Sequence, residues 1–387
     1  EGRFWEKFSK RVMKNPIGWL VPSMGFLLLL GVPFLHVELT AGGLDTLPPD
    51  LESRQAYEVL EEEFPAFTAS VVPLVIVFDE GRDPFSKSLS SEVAEVCEGV
   101  STVEGVISVS HPLCNPSLFD TELADWPEDL RIEWLTTVSN SVAMINVPIE
   151  YPSGSDEAEQ LIKDVRVFTS SSEEEVLVGS WTSYEVDMKE HLNERIPVAL
   201  AFVLLVTMVL VWFQVHSVLV PIKAVFMNIL SISASFGLIV VVFQDGWLAG
   251  PLNFTPQPLD LMVPPLVFGI AFGLSMDYEV LMLSRIHESW LETKDNTRAV
   301  SEGLQASGRL ITGAAAIMIA VFSGFIFADV MIIKSIGFAL AVAVFVDATI
   351  VRAIVVPSAM RLMGRANWWS PSFCITRKNK DIAAGDE

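Results

Sequence analysis

The chain has 387 residues, of which 51% are hydrophobic, and its mean hydropathy of +0.45 is too high for an ordinary soluble protein. Its formal net charge of −23 is concentrated in residues 37–193, where 32 acidic residues stand against 7 basic ones. This acidic region lacks the basic surface that nucleic acid requires, so we expect no nucleic-acid partner.

Six apolar blocks are each long enough to cross a membrane as a helix, which takes about 20 residues. The first, at 16–36, follows a basic segment at 1–15 and precedes a polar region at 37–194, which has the size of one domain. The other five form a predicted bundle within 195–357, with blocks at about 196–216, 219–243, 262–284, 309–328 and 335–357. A tail at 358–387 follows the bundle.

Lysine and arginine are abundant before the first block, after the fourth block and in the tail. By the positive-inside rule these segments face the cytoplasm. The pattern therefore predicts a multi-pass protein of the cell (plasma) membrane, with cytoplasmic termini and an extracytoplasmic domain at 37–194. The chain begins with Glu rather than Met, and we expect it to be a fragment of a longer protein.

The polar region has strand-like and helix-like segments in the order β-α-β, an insert, then β-α-β. Its predicted strands lie at 71–78, 103–110, 141–150 and 174–181, and its predicted helices at 90–100 and 155–168. Ser155 is the expected N-cap of the second helix, and the proline-rich insert at about 111–140 predicts a loop with a short helix. This order is typical of a ferredoxin-like α+β domain, which by itself does not identify a function.

Cys97 and Cys114 both lie in this polar region, where a disulfide is chemically permitted, and two separate free thiols are the alternative. The histidines are scattered, so we expect no metal site. No glycine-rich phosphate loop precedes a helix, so we expect no nucleotide or other cofactor. No serine has a credible base partner, which argues against an enzyme.

The sequence FGLSMDYEVLMLSRIHE places Asp277, Tyr278 and Glu279 inside an apolar block, although a charge at the bilayer centre costs at least about 2.5–3.5 kcal/mol. Gly269, Gly273 and Asp277 are spaced four apart and share one helix face. We therefore expect Asp277 to face a neighbouring helix across a small-residue contact. A carboxyl that loads and releases a proton inside the membrane suits a proton-coupled transporter, and the Tyr278 hydroxyl could relay that proton.

The sixth block repeats this spacing with Ala339, Ala343 and Asp347. Asp347 is a second candidate for the proton path. The alternative is that Asp347 pairs with Arg352 or Lys334 as a purely structural contact between helices.

Glu279 is a further candidate, but it lies on another face of its helix, where we expect it near cytoplasmic water or paired with Arg285. Arg285 and Arg352 both lie near predicted cytoplasmic helix ends. Long basic side chains at such positions extend toward water, and we expect the same here.

With these residues in view, the chain resembles the MMPL family of the RND transporter superfamily. FGLSMDYEVLMLSRIHE is similar to that family's signature in the fourth helix of its second, C-terminal repeat. SEGLQASGRLITGAAAIMIAVFSGF and FALAVAVFVDATIVRAIVVPSAMRLMG are similar to the two helices that follow it. The resemblance covers nearly the whole chain and is most specific in 262–365.

The resemblance implies an RND-type repeat of six transmembrane helices with an extracytoplasmic porter domain between the first and second. Family members use proton entry to export lipids or other hydrophobic compounds. Their relay has one Asp-Tyr pair per repeat, which corresponds here to Asp277 and Tyr278. Complete members have two repeats, so this chain would work beside membrane lipids with the N-terminal repeat of the same protein or with a second copy.

Two other functions are compatible with the same architecture. A SecDF-like subunit would use protons to translocate polypeptides, although the SMDYEV signature argues against it. A non-transporting membrane scaffold or receptor would tolerate loss of Asp277.

Overall fold

The computed structural model describes residues 2–43, 46–64, 70–79, 81–170, 172 and 174–369. Most of the predicted cytoplasmic tail, from residue 370 onward, lies outside the described residues. The chain divides into two compact units. The helical unit contains the residues up to Leu51 and from Arg195 onward, and the polar unit is Glu52–Glu194.

Six helices among the described residues are long and apolar enough to cross a membrane, which confirms the six apolar blocks. They are called here the first to sixth spans and comprise Pro16–His36, Trp181–Val215, Leu219–Gln244, Val263–Thr293, Asn296–Phe325 and Met331–Trp368. The second, fourth, fifth and sixth helices extend beyond their apolar blocks. Helical hydrogen bonding continues through polar residues of good helix propensity, so hydropathy alone underestimates these lengths.

Three spans change their helical type along their length. The first is α-helical over Pro16–Gly31 and 3-10 over Val32–His36, and the third changes from α-helix to π-helix at Val240–Gln244. The sixth is α-helical over Met331–Val346, π-helical over Asp347–Val355, α-helical over Val356–Met363 and 3-10 over Gly364–Trp368. The helical unit also contains the helices Gly2–Lys14 and Ala249–Leu252.

A short parallel pairing joins two loops of the helical unit. Strand β1, Leu39–Thr40, pairs with strand β5, Leu259–Asp260. This pairing explains why residues 37–51, which the sequence assigned to the polar domain, belong to the helical unit.

Capping side chains fix the starts of two spans. Asn15 accepts a hydrogen bond from the backbone N–H of Gly18 at 3.3 Å before the first span. Asp295 accepts hydrogen bonds from the N–H groups of Thr297 and Arg298 at the start of the fifth. Each cap satisfies helix-end donors that have no partner within the helix.

Glycines allow the closest approaches between spans. A Cβ at Gly237 in the third span would collide with the carbonyl of Leu30 in the first. A Cβ at Gly303 in the fifth span would collide with Ile286 in the fourth, and Gly337 in the sixth lies equally close to the fifth. Small residues thus let these helices pack at backbone distance.

The polar unit is built on an antiparallel sheet with the strand order β3-β2-β4. Strand β2 is Val71–Val77, β3 is Val142–Pro148 and β4 is Glu175–Val178. The unit's helices, besides the start of the second span, are Glu52–Glu63, Lys87–Ser101, Glu128–Thr137 and Asp156–Thr169. Ser155 caps the last of these by accepting a hydrogen bond from the N–H of Ala158 at 3.1 Å.

Alternation along the strands places the core of the polar unit on one face of the sheet. Val72, Leu74 and Ile76 of β2 are each at most 1% exposed. Because successive strand side chains point to opposite faces, these three lie on the same side. Buried residues of helices Lys87–Ser101 and Asp156–Thr169 complete this core.

Residues 103–110 do not form the predicted strand. Val106 makes only an isolated bridge to Ile149. Gly105 has a φ of +88°, and a Cβ there would collide with the ring of Tyr151. The chain therefore turns at a position that favours glycine, which ends the ladder.

The insert is ordered by 3-10 turns and by side-chain clusters rather than by a sheet. The turns are Pro112–Cys114, Pro116–Asp120 and Leu123–Asp125, followed by helix Glu128–Thr137. Cys97 and Cys114 lie together as a disulfide with their Cα atoms 5.8 Å apart. An aromatic cluster packs the insert against the rest of the unit and consists of Phe85, Phe119, Trp126 and Trp134.

His111, next to this disulfide, is buried in a fixed neutral form. Its Nδ1 accepts a hydrogen bond from the N–H of Leu113 at 3.1 Å. Its Nε2 lies 2.8 Å from the hydroxyl of Thr137, which itself donates to the carbonyl of Glu133, so Nε2 donates to that hydroxyl. Burial lowers the pKa of His111 to about 4, and protonation of Nδ1 would remove the bond to Leu113.

We predict that the polar unit loses stability as the pH falls from about 6.5 to about 4. The unfolded chain, with a His pKa of 6.5, binds a proton in this window that the folded chain does not bind. The free energy of unfolding should therefore fall by up to about 3 kcal/mol across the window. Thermal unfolding of the wild type and of His111→Asn, measured at several pH values, should show this loss only in the wild type. The same pH dependence in both proteins would contradict the prediction.

Candidate functional site

The fourth span carries an open face formed by Gly269, Gly273 and Asp277. All three residues are exposed, and a Cβ at either glycine would meet nothing within 4 Å. The expectation that this face packs against a neighbouring helix is therefore not met within the described part of this chain. The buried side of the same helix carries Ser275 and Glu279 instead.

The corresponding face of the sixth span is packed. Ala339 is 0% exposed and Ala343 is 3% exposed. The carbonyl of Ala339 accepts a hydrogen bond of 2.6 Å from the hydroxyl of Ser235 in the third span. Small residues at these positions therefore bring the third and sixth spans together, and Asp347 is buried one turn further along.

Asp347 and Arg352 form a buried ion pair inside the helical unit. Their nearest atoms are 2.6 Å apart, and their side chains are 8% and 4% exposed. Arg352 also donates to the carbonyl of Ser275, which connects the sixth span to the fourth. The structure therefore contains the Asp347–Arg352 pairing that the sequence offered as an alternative, and the expectation that Arg352 extends toward water is wrong.

Lys334, the other basic residue offered as a partner for Asp347, binds elsewhere. Its ammonium group donates to the backbone carbonyls of Leu252 and Asn253. Asp347 therefore depends on Arg352 for its counter-charge.

The π-helical segment Asp347–Val355 explains how residues five apart can pair. In an α-helix each residue turns by about 100°, so residues five apart point to different sides. A π-helix closes i to i+5 hydrogen bonds, which brings residues five apart onto one side. The wider turn thus places Asp347 and Arg352 together.

Tyr278 connects the ion pair to the fifth span. The guanidinium of Arg352 lies over the Tyr278 ring, with its Cζ 4.9 Å from the ring centroid, a favourable cation–π arrangement. The Tyr278 hydroxyl donates to the sulfur of Met318 at 3.2 Å. Tyr278 thus faces the buried network, whereas its neighbour Asp277 lies on the open face.

Glu279 does not occupy the predicted position near water. It is 3% exposed, and its charge interacts with Lys223 in the third span and with Arg352. Arg285, its expected partner, pairs instead with Glu288 at 2.9 Å on the surface. A helix residue at 279 points almost opposite to one at 277, and in this unit that side is the core.

Lys223 is a residue that the sequence analysis missed. It lies in the apolar run LVPIKAVFMNILSISASF and is 8% exposed. The signal was available, because an ionisable residue in a membrane span is by default a candidate for function.

These side chains form one intramembrane cluster, part of which lines a small cavity. The cluster consists of Lys223, Ser275, Tyr278, Glu279, Asp347 and Arg352. The cavity has a volume of about 10 Å³ and is lined by residues that include Ser231, Ser275, Tyr278 and Asp347. This volume is at the lower limit for one water molecule.

The cluster has the chemistry to bind and move protons. It contains two carboxyls, two basic groups, a phenol and hydroxyls within an apolar helical unit. No group of three or more His, Cys, Asp or Glu residues within the described ranges could hold a metal ion.

Comparison with known proteins relates this chain to one family of membrane proteins. Residues 45–380 match the sequence model of the MMPL family. The mycolic acid-containing lipids exporter MmpL11 of Mycolicibacterium smegmatis is 31% identical over 380 residues, which cover 96% of this chain and 37% of that protein.

Relatives in Mycobacterium tuberculosis show the same extent of similarity. The trehalose monomycolate exporter MmpL3 is 31% identical over 373 residues, which cover 96% of this chain and 38% of that protein. The heme uptake protein MmpL11 is 32% identical over 377 residues, which cover 95% of this chain and 36% of that protein. The chain thus spans little more than a third of the length of these relatives, all of which are named as exporters or uptake proteins rather than as enzymes.

We predict that removing one member of the Asp347–Arg352 pair destabilises the protein more than removing both. Asp347→Asn alone leaves a buried, unpaired guanidinium and should destabilise the protein by about 3–5 kcal/mol, and Arg352→Gln should do the same for the carboxylate. The double variant should be more stable than either single variant. Arg285→Gln, at the exposed pair with Glu288, is the control and should cost less than about 1 kcal/mol.

Thermal stability of the detergent-solubilised protein, followed by size-exclusion chromatography after heating, measures these differences. A double variant that is less stable than both single variants would contradict the pairing.

Proposed function

Because the chain belongs to the MMPL family, we propose that it is one repeat of a proton-driven membrane transporter that exports lipids or other hydrophobic compounds. The export of mycolic acid-containing lipids and of trehalose monomycolate by relatives supports a lipid substrate. The proton gradient is the proposed energy source. The observation that carries the proposal is the position of Asp277 and Tyr278 between an open helix face and a buried charged cluster.

Asp277 and Tyr278 are adjacent in sequence but belong to different surroundings. Asp277 lies on the open face, where a group from outside this chain can reach its carboxyl. Tyr278 contacts Arg352, which binds Asp347. In the proposed relay a proton arrives at Asp277, and Tyr278 and Asp347 connect that position to the interior of the repeat.

The proposed partner is an N-terminal repeat of the same protein or a second copy of this chain. It would cover the face formed by Gly269, Gly273 and Asp277 and remove the carboxyl from lipid. The two glycines leave room for close approach of another helix. The relatives are also more than twice as long as this chain.

The polar unit is proposed to be an extracytoplasmic porter domain with a ferredoxin-like fold. Its antiparallel strand order β3-β2-β4 supports this fold, and the bridge between Val106 and Ile149 extends the order on the side of β3. That arrangement corresponds to a split β-α-β sheet in which the strand predicted at 103–110 is reduced to a one-residue bridge. The domain would receive the hydrophobic substrate from the outer leaflet.

The proposed orientation places the termini in the cytoplasm and the polar unit outside the cell. Lys and Arg near the helix ends support it.

We predict that Asp277→Asn abolishes proton coupling while the protein still folds. An amide cannot load a proton, and losing a positioned proton-transfer group should slow coupled transport by about 100-fold or more. The natural protein that contains this sequence is reconstituted in vesicles, and proton uptake is followed with an entrapped pH-sensitive dye during lipid transfer. Glu288→Gln, an exposed acid on the same helix, is the matched control. Unchanged gradient-dependent transfer by Asp277→Asn would refute the relay.

We also predict that the polar unit is accessible from outside the cell. Ser153 is exposed, and Ser153→Cys should react with a membrane-impermeant thiol reagent in intact cells. Cys97 and Cys114 are bonded to each other, and Cys374→Ser removes the remaining thiol. Glu292 is exposed near the C-terminal end of the fourth span, which is cytoplasmic in the proposed orientation. Glu292→Cys should therefore react only after permeabilisation. The reverse pattern of labelling would contradict the orientation.

A further inference from the structure

Two oppositely charged residues of the intramembrane cluster are not part of the proposed Asp277–Tyr278 relay. Lys223 belongs to the third span and Glu279 to the fourth. They are 8% and 3% exposed, and each is the main charged group acting on the other. Burying two ionisable groups inside membrane spans is costly, so their presence there indicates a role.

Each of the two groups has a buried polar atom that lacks a hydrogen-bond partner, although the Glu279 carboxyl also has a side-chain hydrogen bond with Asn228. Lys223 Nζ and Glu279 Oε1 are buried and have no hydrogen-bond partner among the residues that the structure describes. Asp347 also has one unpartnered oxygen, Oδ1, but its Oδ2 is held at 2.6 Å by Arg352. A carboxyl with a free buried oxygen can accept a proton there without breaking an existing bond, whereas protonating Asp347 would weaken its ion pair.

The charges around Glu279 are balanced, so protonation of its carboxylate changes the net charge of the cluster. Lys223 faces it from the third span, and Arg352 and Asp347 act on it from the sixth. Arg352 and Asp347 cancel each other, and Lys223 cancels the ionised form of Glu279. Adding one proton to Glu279 therefore changes the cluster from neutral to a single positive charge.

The positions of Lys223 and Glu279 along their helices indicate the side of the membrane to which the proton would leave. Glu279 follows Tyr278 directly and lies on the buried side of the fourth span. Lys223 is four residues, or about 6 Å, from Leu219 at the start of the third span. The third span starts on the same side of the membrane on which the second span ends, at Val215. Lys223 thus lies between that aqueous edge and the interior of the helix, and in the proposed orientation the edge is cytoplasmic.

We propose that Glu279 is a second proton-binding carboxyl of this repeat and that Lys223 controls the release of its proton to the cytoplasmic edge. The proposal rests on the proposed function and extends its relay. A proton delivered from the Tyr278 side forms an O–H bond on the Glu279 carboxylate. On release that bond breaks, the proton passes to water at the edge, and the Lys223 ammonium stabilises the carboxylate that remains.

The first test is the protonation of Glu279 itself. Infrared difference spectra of the membrane-reconstituted protein, recorded over a pH series, separate protonated from ionised carboxyls. A carboxyl band that titrates should be lost in Glu279→Gln and retained in Glu288→Gln, the exposed control on the same helix. In Lys223→Met the protonated band should persist to a pH higher by about one unit or more, because the charge that favours the carboxylate is gone. An unchanged titration in Glu279→Gln would overturn the proposal.

The second test is proton flux, measured in vesicles with an entrapped pH-sensitive dye. Glu279→Gln should reduce gradient-driven flux by at least about 10-fold, as expected for loss of a proton-transfer group. Lys223→Arg keeps the positive charge and should retain most of the flux, whereas Lys223→Met should reduce it. If Lys223→Met does not fold, the double variant Lys223→Met with Glu279→Gln removes both buried charges together and should fold with low flux. Full flux in either folded variant that lacks Glu279 would refute the role.

Failure of this inference and failure of the proposed function give different results. If Asp277→Asn keeps wild-type flux, the proposed relay is wrong, and the infrared band of Glu279 still decides whether this residue binds a proton. If Asp277→Asn loses flux while Glu279→Gln keeps it, the relay stands and the second carboxyl is excluded from it.

Discussion

The Asp347–Arg352 ion pair is the constraint on which the centre of the helical unit depends. A charge buried between membrane helices must be matched, and each of these residues is the other's closest opposite charge at 2.6 Å. The spacing of five residues requires the wider π-helical turn. The same guanidinium binds the carbonyl of Ser275 and covers the ring of Tyr278. One ion pair thus sets the local helix geometry, joins the fourth and sixth spans and orients the tyrosine.

That arrangement places Asp277 and Glu279 of the fourth span in different surroundings. Asp277 and Glu279 are two residues apart, so they point to nearly opposite sides of one helix. Asp277 lies on an exposed face with two glycines, and Glu279 lies in the core opposite Lys223. A proton that enters at the first acid and leaves by the second would have to pass Tyr278, the residue between them. The sequence Asp-Tyr-Glu therefore spans the thickness of the helix as well as three positions of the chain.

The sequence predicted the parts of this structure that depend on local periodicity and composition. Six spans follow from apolar length, and the cap at Ser155 follows from its position before an acidic helical turn. The strand at 103–110 was wrong because Gly105 turns the chain, which alternation does not reveal. The position of Arg352 was wrong because it was placed near the end of a helix predicted to stop at 357, whereas the sixth span continues to Trp368 and Arg352 is buried against Asp347. The burial of Glu279 could not be predicted, since which side of a helix faces the core depends on its neighbours.

In the proposed transporter, the open face of the fourth span would link assembly to proton chemistry. An acid exposed to lipid costs at least about 2.5–3.5 kcal/mol, so a complex that covers Asp277 is favoured over the separate repeat in a membrane. Gly269 and Gly273 permit that cover to approach closely. In the proposed relay, the partner that covers this face would also supply or receive the proton at Asp277. Under the same proposal, a substitution that neutralises this carboxyl would remove the coupling and would also lower the cost of exposing this face to lipid. Retained folding in such a variant is therefore no indication that Asp277 is dispensable.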